Sequence, residues 1–510
     1  MLFAMRTNGI LLHPTSLPGP RGSGDLGHEA RRFVEFLARS GQSWWQMLPI
    51  HPPGPGNSPY QGLSTFAGSS QLIDLEELVQ LELIHRDDLQ GFSLPSKRRA
   101  DFEKSAEGRN RILWRAFEVF ERGEISASHD LATELEAFQS QHSSWLNDWT
   151  LFAALREKHG LVSWVEWEEP LARRDPERLE QARNELAREC RFHAFVQLLF
   201  ERQWNALRQF AAERGVRIMG DLPMFVAHDS ADVWSRPELF RLGESGAPLC
   251  VSGAPPDDFN PGGQVWGHPL FDWDAVIAAD WDWWTERVRR ALALADSVRL
   301  DHFVGYNAAW EVPVPEKGRW KSSDGVYGPG PGSTLFEAIG AKLGPLAFVA
   351  EDLGDMNDAV ETLRVNLGYP GMRVLQFAYS GEASENIHLP HNYARDVIAY
   401  TGTHDNDTIA GWFKSLDPES EERRAVLAMT GGTPDAAPWD LVKLAQYSVA
   451  DMAIMPAQDL YGMGSRARMN RPGTTNGNWR FRLRPREVND AKADELATLT
   501  RDCGRFRAQP

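Results

Sequence analysis

Four acidic residues stand at corresponding places in the chain, each just after a short apolar run. Asp221 closes the run 216–220, Asp301 the run 297–300 and Glu351 the run 346–350. A fourth run, 397–401, passes through Gly402, Thr403 and His404 to Asp405. Carboxylates gathered in one pocket either hold a divalent cation or perform nucleophilic and acid–base work on a glycosidic bond. The glycoside route needs one carboxylate held ionised and one carboxyl held protonated. Arg299 lies two residues before Asp301, hence on the same face of an extended strand. A guanidinium there keeps Asp301 ionised and argues against a metal site. Glu351 has an apolar run behind it and other acids nearby, and both influences raise its pKa. One such acid alone would be read as the cap of a following helix. Four at corresponding places point to a site, with Asp301 as nucleophile and Glu351 as acid.

The elements that must position these residues are legible as eight apolar runs, at 9–13, 44–49, 216–221, 297–301, 346–351, 372–377, 397–401 and 452–456. They lack clean alternation, which suits strands buried on both faces in a parallel sheet. Helical patterns separate several of them, as at 29–38 and 284–295. Eight strands alternating with helices predict an α/β fold, a (β/α)8 TIM barrel, whose strand C-termini converge on one catalytic face. The long interval 74–209 carries helical stripes, among them Ile112, Leu113, Ala116, Phe117 and Phe120, and Phe192, Phe195, Val196 and Leu199. It is expected to be a mainly helical subdomain inserted between the second and third strands. The barrel then comprises 1–73 and 210–510, with too little chain after the eighth run for a C-terminal β-domain.

Composition narrows the partners. The 510 residues carry 54 basic and 71 acidic side chains, a net charge of −17. An acidic chain repels phosphate, so nucleic acid is not expected as a partner. No apolar run reaches the length of a membrane span, and the charge balance gives no reason to expect a membrane surface. Three cysteines, none in a CxxC pair, make a disulfide framework or thiolate metal cluster improbable. With no signal-peptide pattern at the N-terminus, a cytoplasmic location is expected. Tryptophan, at nineteen residues, is abundant, which suits stacking on sugar faces. Arginines outnumber lysines 45 to 9. The dense arginines between Arg466 and Arg486 are expected to form surface ion pairs. The Gly-rich stretch 328–332 is not read as a phosphate loop, because its prolines remove backbone donors and no strand-to-helix turn is expected to frame it.

At this point an ordered series of segments carries a resemblance. RLDHF at 299–303, AEDLG at 350–354 and TGTHDNDT at 401–408 resemble the catalytic segments of the 4-α-glucanotransferases. This is the amylomaltase or disproportionating-enzyme family (glycoside hydrolase family 77), within the α-amylase clan. GILLHPTSLPG at 9–19, SPYQGLSTFAG at 58–68, GDLPMFVA at 220–227, PPDDFNPGGQVWG at 255–267 and RPGTTNGNW at 471–479 extend the resemblance over nearly the whole chain. It implies transfer of α-1,4-glucan segments between maltooligosaccharides by a retaining double displacement, with no metal and no cofactor. It makes Asp301 the nucleophile, Glu351 the general acid/base, and Asp405 the holder of the hydroxyls of the sugar being cleaved. Arg299 would orient Asp301, His302 and His404 would hydrogen-bond the same sugar, and Tyr60 would stack beneath it. Asp221 matches a family acid at the third strand. Asp257 and Trp266 match the loop on the acceptor side. A monomer or weak homodimer is expected. The rival readings are a hydrolase of the same clan and a glycan-binding protein without catalysis.

Overall fold

The computed structural model describes residues 6–94, 98–256, 261–315, 318–354 and 357–506. Twelve strands occur among them: β1 (Thr7–Leu11), β2 (Trp44–Gln46), β3 (Arg217–Leu222), β4 (Cys250–Ala254), β5 (Gln264–Pro269), β6 (Ser297–Leu300), β7 (Ala308–Pro313), β8 (Val326–Pro329), β9 (Phe348–Ala350), β10 (Gly371–Val374), β11 (Val397–Tyr400) and β12 (Met452–Pro456). Eight of them form one parallel sheet in the order β10-β11-β12-β1-β2-β3-β6-β9. The Ala350 N–H donates to the Pro370 carbonyl at 2.9 Å, joining the two end strands. The sheet therefore wraps into the (β/α)8 barrel, and each of the eight apolar runs overlaps one of its strands. Every residue of β1, β2, β6, β9, β10, β11 and β12 is buried. Burial on both faces is why these segments read as continuous rather than alternating apolar runs.

Between β2 and β3 the chain is helical. Phe102–Arg122 buries the stripe Ile112, Leu113, Ala116, Phe117 and Phe120. Phe117 meets Phe192 and Phe195, each at 5.5 Å between ring centres, on the helix Ala187–Ala212. That helix continues onto the barrel wall, where Trp204 donates to the Leu294 carbonyl at 3.0 Å and Glu201 pairs with Arg290 at 2.8 Å. The helical interval and the barrel thus share one continuous hydrophobic core. No strand follows β12 among the described residues. The helix Asp490–Asp502 returns to His28–Arg39, where Arg39 pairs with Asp490 and Asp494 at 2.6 and 2.7 Å.

The structure corrects four expectations. First, β4, β5, β7 and β8 form a second, antiparallel sheet in the order β5-β4-β7-β8. Trp266 therefore sits on a strand, β5, rather than on a loop. Second, Asp221 lies inside β3, which runs one residue further to Leu222. Third, the Gly-rich stretch 328–332 does join a strand to a helix, β8 to Gly332–Leu343. It still makes no phosphate cradle, because a Cβ at Gly328 would stand 1.8 Å from the Glu311 carboxylate, which is paired with Arg241 at 2.7 Å. Fourth, the arginines between 466 and 486 are not all surface ion pairs. Arg482 is fully buried and donates to the carbonyls of Leu17, Gly19 and Gly22. A planar fork with several donors can satisfy carbonyls of an irregular segment where a lysine ammonium cannot.

The end of the barrel where the strands begin is closed by another such residue. Arg505, fully buried, donates to the carbonyls of Thr7, Gln446, Ser448, Ala450 and Asp451.

Candidate active site

Parallel register brings the first two site residues together. Across β3 and β6, Asp221 and Arg299 are paired positions. Arg299 Nη1 donates to both oxygens of Asp221, at 2.9 and 2.8 Å. The same nitrogen lies 2.9 Å from Asp301 Oδ1, and Nη2 lies 3.9 Å from Glu351 Oε2. One guanidinium is therefore shared by carboxylates from three neighbouring strands. The ladder continues one residue beyond the strands and fixes the backbone of both outer acids. Asp301 N–H donates to the Leu222 carbonyl and Glu351 N–H to the Leu300 carbonyl, each at 3.0 Å.

Burial and charge then differentiate the acids. Asp221 is fully enclosed, whereas Asp301 keeps about a quarter of its side chain exposed, at 24%. Burial pushes Glu351 well above the usual carboxyl range, and the charge of Asp301 adds to it against the pull of Arg299. Burial pushes Asp221 up as well, opposed by Arg299 and by the Tyr60 hydroxyl that donates to it at 2.7 Å. Burial works against the charge of Arg299, yet Asp221 and Asp301 hold its pKa above the ordinary value. The result is a cluster with more acids than cations, in which burial favours the protonated form of Glu351.

His302 follows Asp301 with a positive φ of 49°. That left-handed turn, unusual for a residue with a Cβ, aims its backbone N–H at Glu351 Oε2, 2.6 Å away. Its ring meets Trp266 edge-on at 4.7 Å. Burial pulls the His302 pKa down to about 4, although Asp301 opposes it. Burial lowers His404 too. Burial thus favours the neutral form of both rings, which can donate one hydrogen bond and accept another.

On the other side, Tyr60 stacks on His404, with ring centres 5.1 Å apart and planes inclined by 16°. Trp479 leans on Tyr60 at 5.8 Å. His404 Nε2 lies 3.4 Å from Asp405 Oδ2. Asp405 is held further by residues that sequence reasoning missed. Asn470 donates to its Oδ1 at 2.6 Å, and Arg468 donates to its backbone carbonyl at 2.5 Å. Asn470 stands just before the segment 471–479, the one signal that could have singled it out. A small cleft lined by His13, His51, Asn57, Gln71 and Trp479 adjoins this aromatic wall.

The structure thus brings together Tyr60, Asp221, Arg299, Asp301, His302, Glu351, His404 and Asp405, with Trp266 at their edge. Asp257 lies outside the described residues. Among the described residues, no group of three or more His, Cys, Asp or Glu side chains is arranged to hold a metal. The guanidinium of Arg299 takes the central place among the carboxylates.

A parallel barrel that gathers an arginine and several acids at the C-terminal ends of its strands defines an enzyme of carboxylate chemistry. A family model described as 4-alpha-glucanotransferase matches residues 12–488. The chain belongs to the 4-alpha-glucanotransferase family and is an enzyme of that activity. It is 44% identical to a 4-alpha-glucanotransferase of Thermus thermophilus over 504 residues, covering 97% of this chain and 98% of that one. It is 43% identical to one of Aquifex aeolicus, covering 94% and 96%. Among solved structures it resembles an amylomaltase from Streptococcus agalactiae in complex with acarbose. The TM-score is 0.93 and the identity 35%, covering 98% of this chain and 100% of that chain.

Proposed function

We propose that this enzyme moves α-1,4-glucan segments between maltooligosaccharides by a retaining double displacement through a covalent glucanyl–Asp301 ester. Asp301 attacks the anomeric carbon while Glu351 gives its proton to the glycosidic oxygen, and the shortened glucan leaves as an alcohol. Glu351, now ionised, takes the proton of an incoming 4-hydroxyl. That oxygen attacks the same carbon and displaces Asp301, so two inversions give retention. The observation that carries this reading is the sharing of Arg299 among Asp221, Asp301 and Glu351, with burial raising the pKa of Glu351. It sets a nucleophile and an acid side by side around one guanidinium.

Tyr60, His302, His404 and Asp405 are assigned to the sugar at the cleavage point. Asp257 and Trp266 are assigned to the acceptor side. We further propose that residues 74–209 act as a helical subdomain set into the barrel of 1–73 and 210–510. The protein works without metal or cofactor, in the cytoplasm, as a monomer or weak homodimer. Among the described residues no helix is long and apolar enough to cross a membrane. Incubation with maltotriose tests the reading: transfer yields glucose and longer chains at constant total reducing ends. A rise in reducing ends would instead establish hydrolysis, and no change would establish binding alone.

A further inference from the structure

β9 and β10 are the two ends of the strand order, and among the described residues no ladder pairs them. One backbone bond, from Ala350 N–H to the Pro370 carbonyl, crosses this seam. One step further on, the crossing is made by a side chain. Asp352, the residue after Glu351, is 1% exposed. Its Oδ1 accepts the Met372 N–H at 2.5 Å, and its Oδ2 accepts from Arg373 Nη1 at 2.9 Å. Arg364 Nε lies 3.4 Å from the same Oδ2, while its Nη1 donates to the Tyr369 carbonyl at 2.8 Å. Gly371 leaves the room this carboxylate needs, since a Cβ there would stand 2.1 Å from Asp352 Oδ2.

Asp352 therefore supplies the acceptor that a strand ladder would otherwise present to Met372. Glu351 is caught between two fixed points. On the β6 side its N–H donates to Leu300 and its carbonyl accepts from Phe303 at 3.1 Å. On the β10 side the next residue is clamped. We infer that Asp352 is a positioning residue for Glu351, closing the barrel seam and so setting the bearing of the Glu351 carboxyl toward Asp301. This rests on the assignment of Glu351 as the acid/base.

Electrostatics supports the same role. Burial is the largest influence that raises Glu351, and the charges of Asp301 and Asp352 add to it, against Arg299 and the His302 N–H. Around Asp352 itself stand Arg373 from β10 and Arg364 from the helix Asp358–Leu367, with Glu361 paired to Arg364 at 2.6 Å. His388 senses Arg373 and accepts the Val374 N–H at 3.1 Å.

The test is the pH dependence of kcat and KM for Asp352→Asn and Arg373→Met. Asp352→Asn keeps an acceptor for Met372 and removes the charge. Its kcat is expected to fall about 10–10²-fold with KM almost unchanged, the effect of a misdirected reacting group. Its basic limb is expected at lower pH, because Glu351 loses one of the charges that hold its proton. Arg373→Met leaves the Asp352 charge less neutralised, so its basic limb is expected at higher pH. This variant also carries the test if Asp352→Asn fails to fold. If neither limb moves and kcat merely follows the folded fraction, Asp352 is a structural clamp and the inference is overturned. Glu351→Gln, run alongside, keeps the failures apart: an active Glu351→Gln would overturn the acid/base assignment itself.

Discussion

Arg299 and Arg505 are buried at opposite ends of the same barrel, and their surroundings could hardly differ more. Arg299 faces the carboxylates of Asp221, Asp301 and Glu351. Arg505 makes no ion pair among the described residues and faces five backbone carbonyls. Two of these, Gln446 and Ser448, lie at the C-terminal end of the helix Ala437–Tyr447, where carbonyls lack partners within the helix and the dipole is negative. Burial pulls Arg505 down to about 10, so it remains charged at pH 7. At one end the cation is shared by the groups proposed to change charge during the reaction. At the other it holds together groups that never change. The same side chain is thus an instrument of chemistry or of assembly according to whether its partners titrate.

The most severe way to test the catalytic end is to remove its carboxyls. Asp301→Asn and Glu351→Gln should each lower maltotriose turnover by at least about 10²–10⁴-fold, with thermal unfolding near that of the parent. Near-parental turnover in both would falsify the assignment.

Exchanging the arginines one at a time should separate the two ends. Arg299→Leu should lower turnover by roughly 10²–10³-fold, the size of effect seen when a fixed electrostatic partner is removed. Arg505→Met should leave turnover per folded molecule unchanged and lower stability by roughly 2–4 kcal/mol, because several buried carbonyls lose their donor. Parallel kinetics and denaturant unfolding on both variants would erase the contrast if each lost activity and stability together.

The ends should differ in pH dependence too. The folded protein holds the Glu351 proton more tightly than the unfolded chain does. Below the ordinary carboxyl range both states are protonated and the group is neutral for stability. As pH rises toward the raised folded value, only the unfolded state ionises, so this group's contribution to stability falls. Glu351→Gln does not titrate, so its stability relative to the parent should improve from pH 5 to pH 8, whereas that of Arg505→Met should stay flat. Melting curves at the two pH values decide it.

The mildest perturbation concerns the edge of the site. Trp266→Ala removes the ring that meets His302 at 4.7 Å. Under the acceptor-side assignment proposed for Trp266, hydrolysis should rise relative to transfer as the ring no longer shields the site from water. Reducing-end release against glucose release on maltotriose gives the ratio, and a constant ratio would leave Trp266 a binding contact only.

The barrel was readable because all its strands but β3 are buried throughout, so each of the eight left a short, mostly apolar run without clean alternation. The second sheet left no such trace. All four of its strands contain glycine or proline, and their burial shows none of the two-residue alternation by which an antiparallel strand is usually recognised. Asp301, Glu351 and Arg299 were legible because strand ends and a spacing of two fix where they point. Asn470 and Arg468 were not, because they reach Asp405 from an irregular segment more than sixty residues away. Arg482 and Arg505 were hidden by their type, since a lone arginine in sequence reads as a surface charge. Their carbonyl cages give part of the reason for 45 arginines against 9 lysines. Tryptophan divides similarly: Trp44, Trp45, Trp204, Trp234 and Trp284 are fully enclosed in the core, while Trp266 and Trp479 stand at the site.

The bond from Arg505 to the Thr7 carbonyl spans 498 residues, nearly the length of the chain. β1 also waits for β12 as its second neighbour. On a ribosome adding about 5–20 residues per second, roughly 25–100 s pass between the emergence of the first strand and that of its last partner. Throughout that time the nascent barrel is an open sheet with an unpaired edge at β1, the form most prone to capture by another chain. Arg505 acts as a latch, and changes that delay or delete it should be felt first in the yield of soluble enzyme made in the cell.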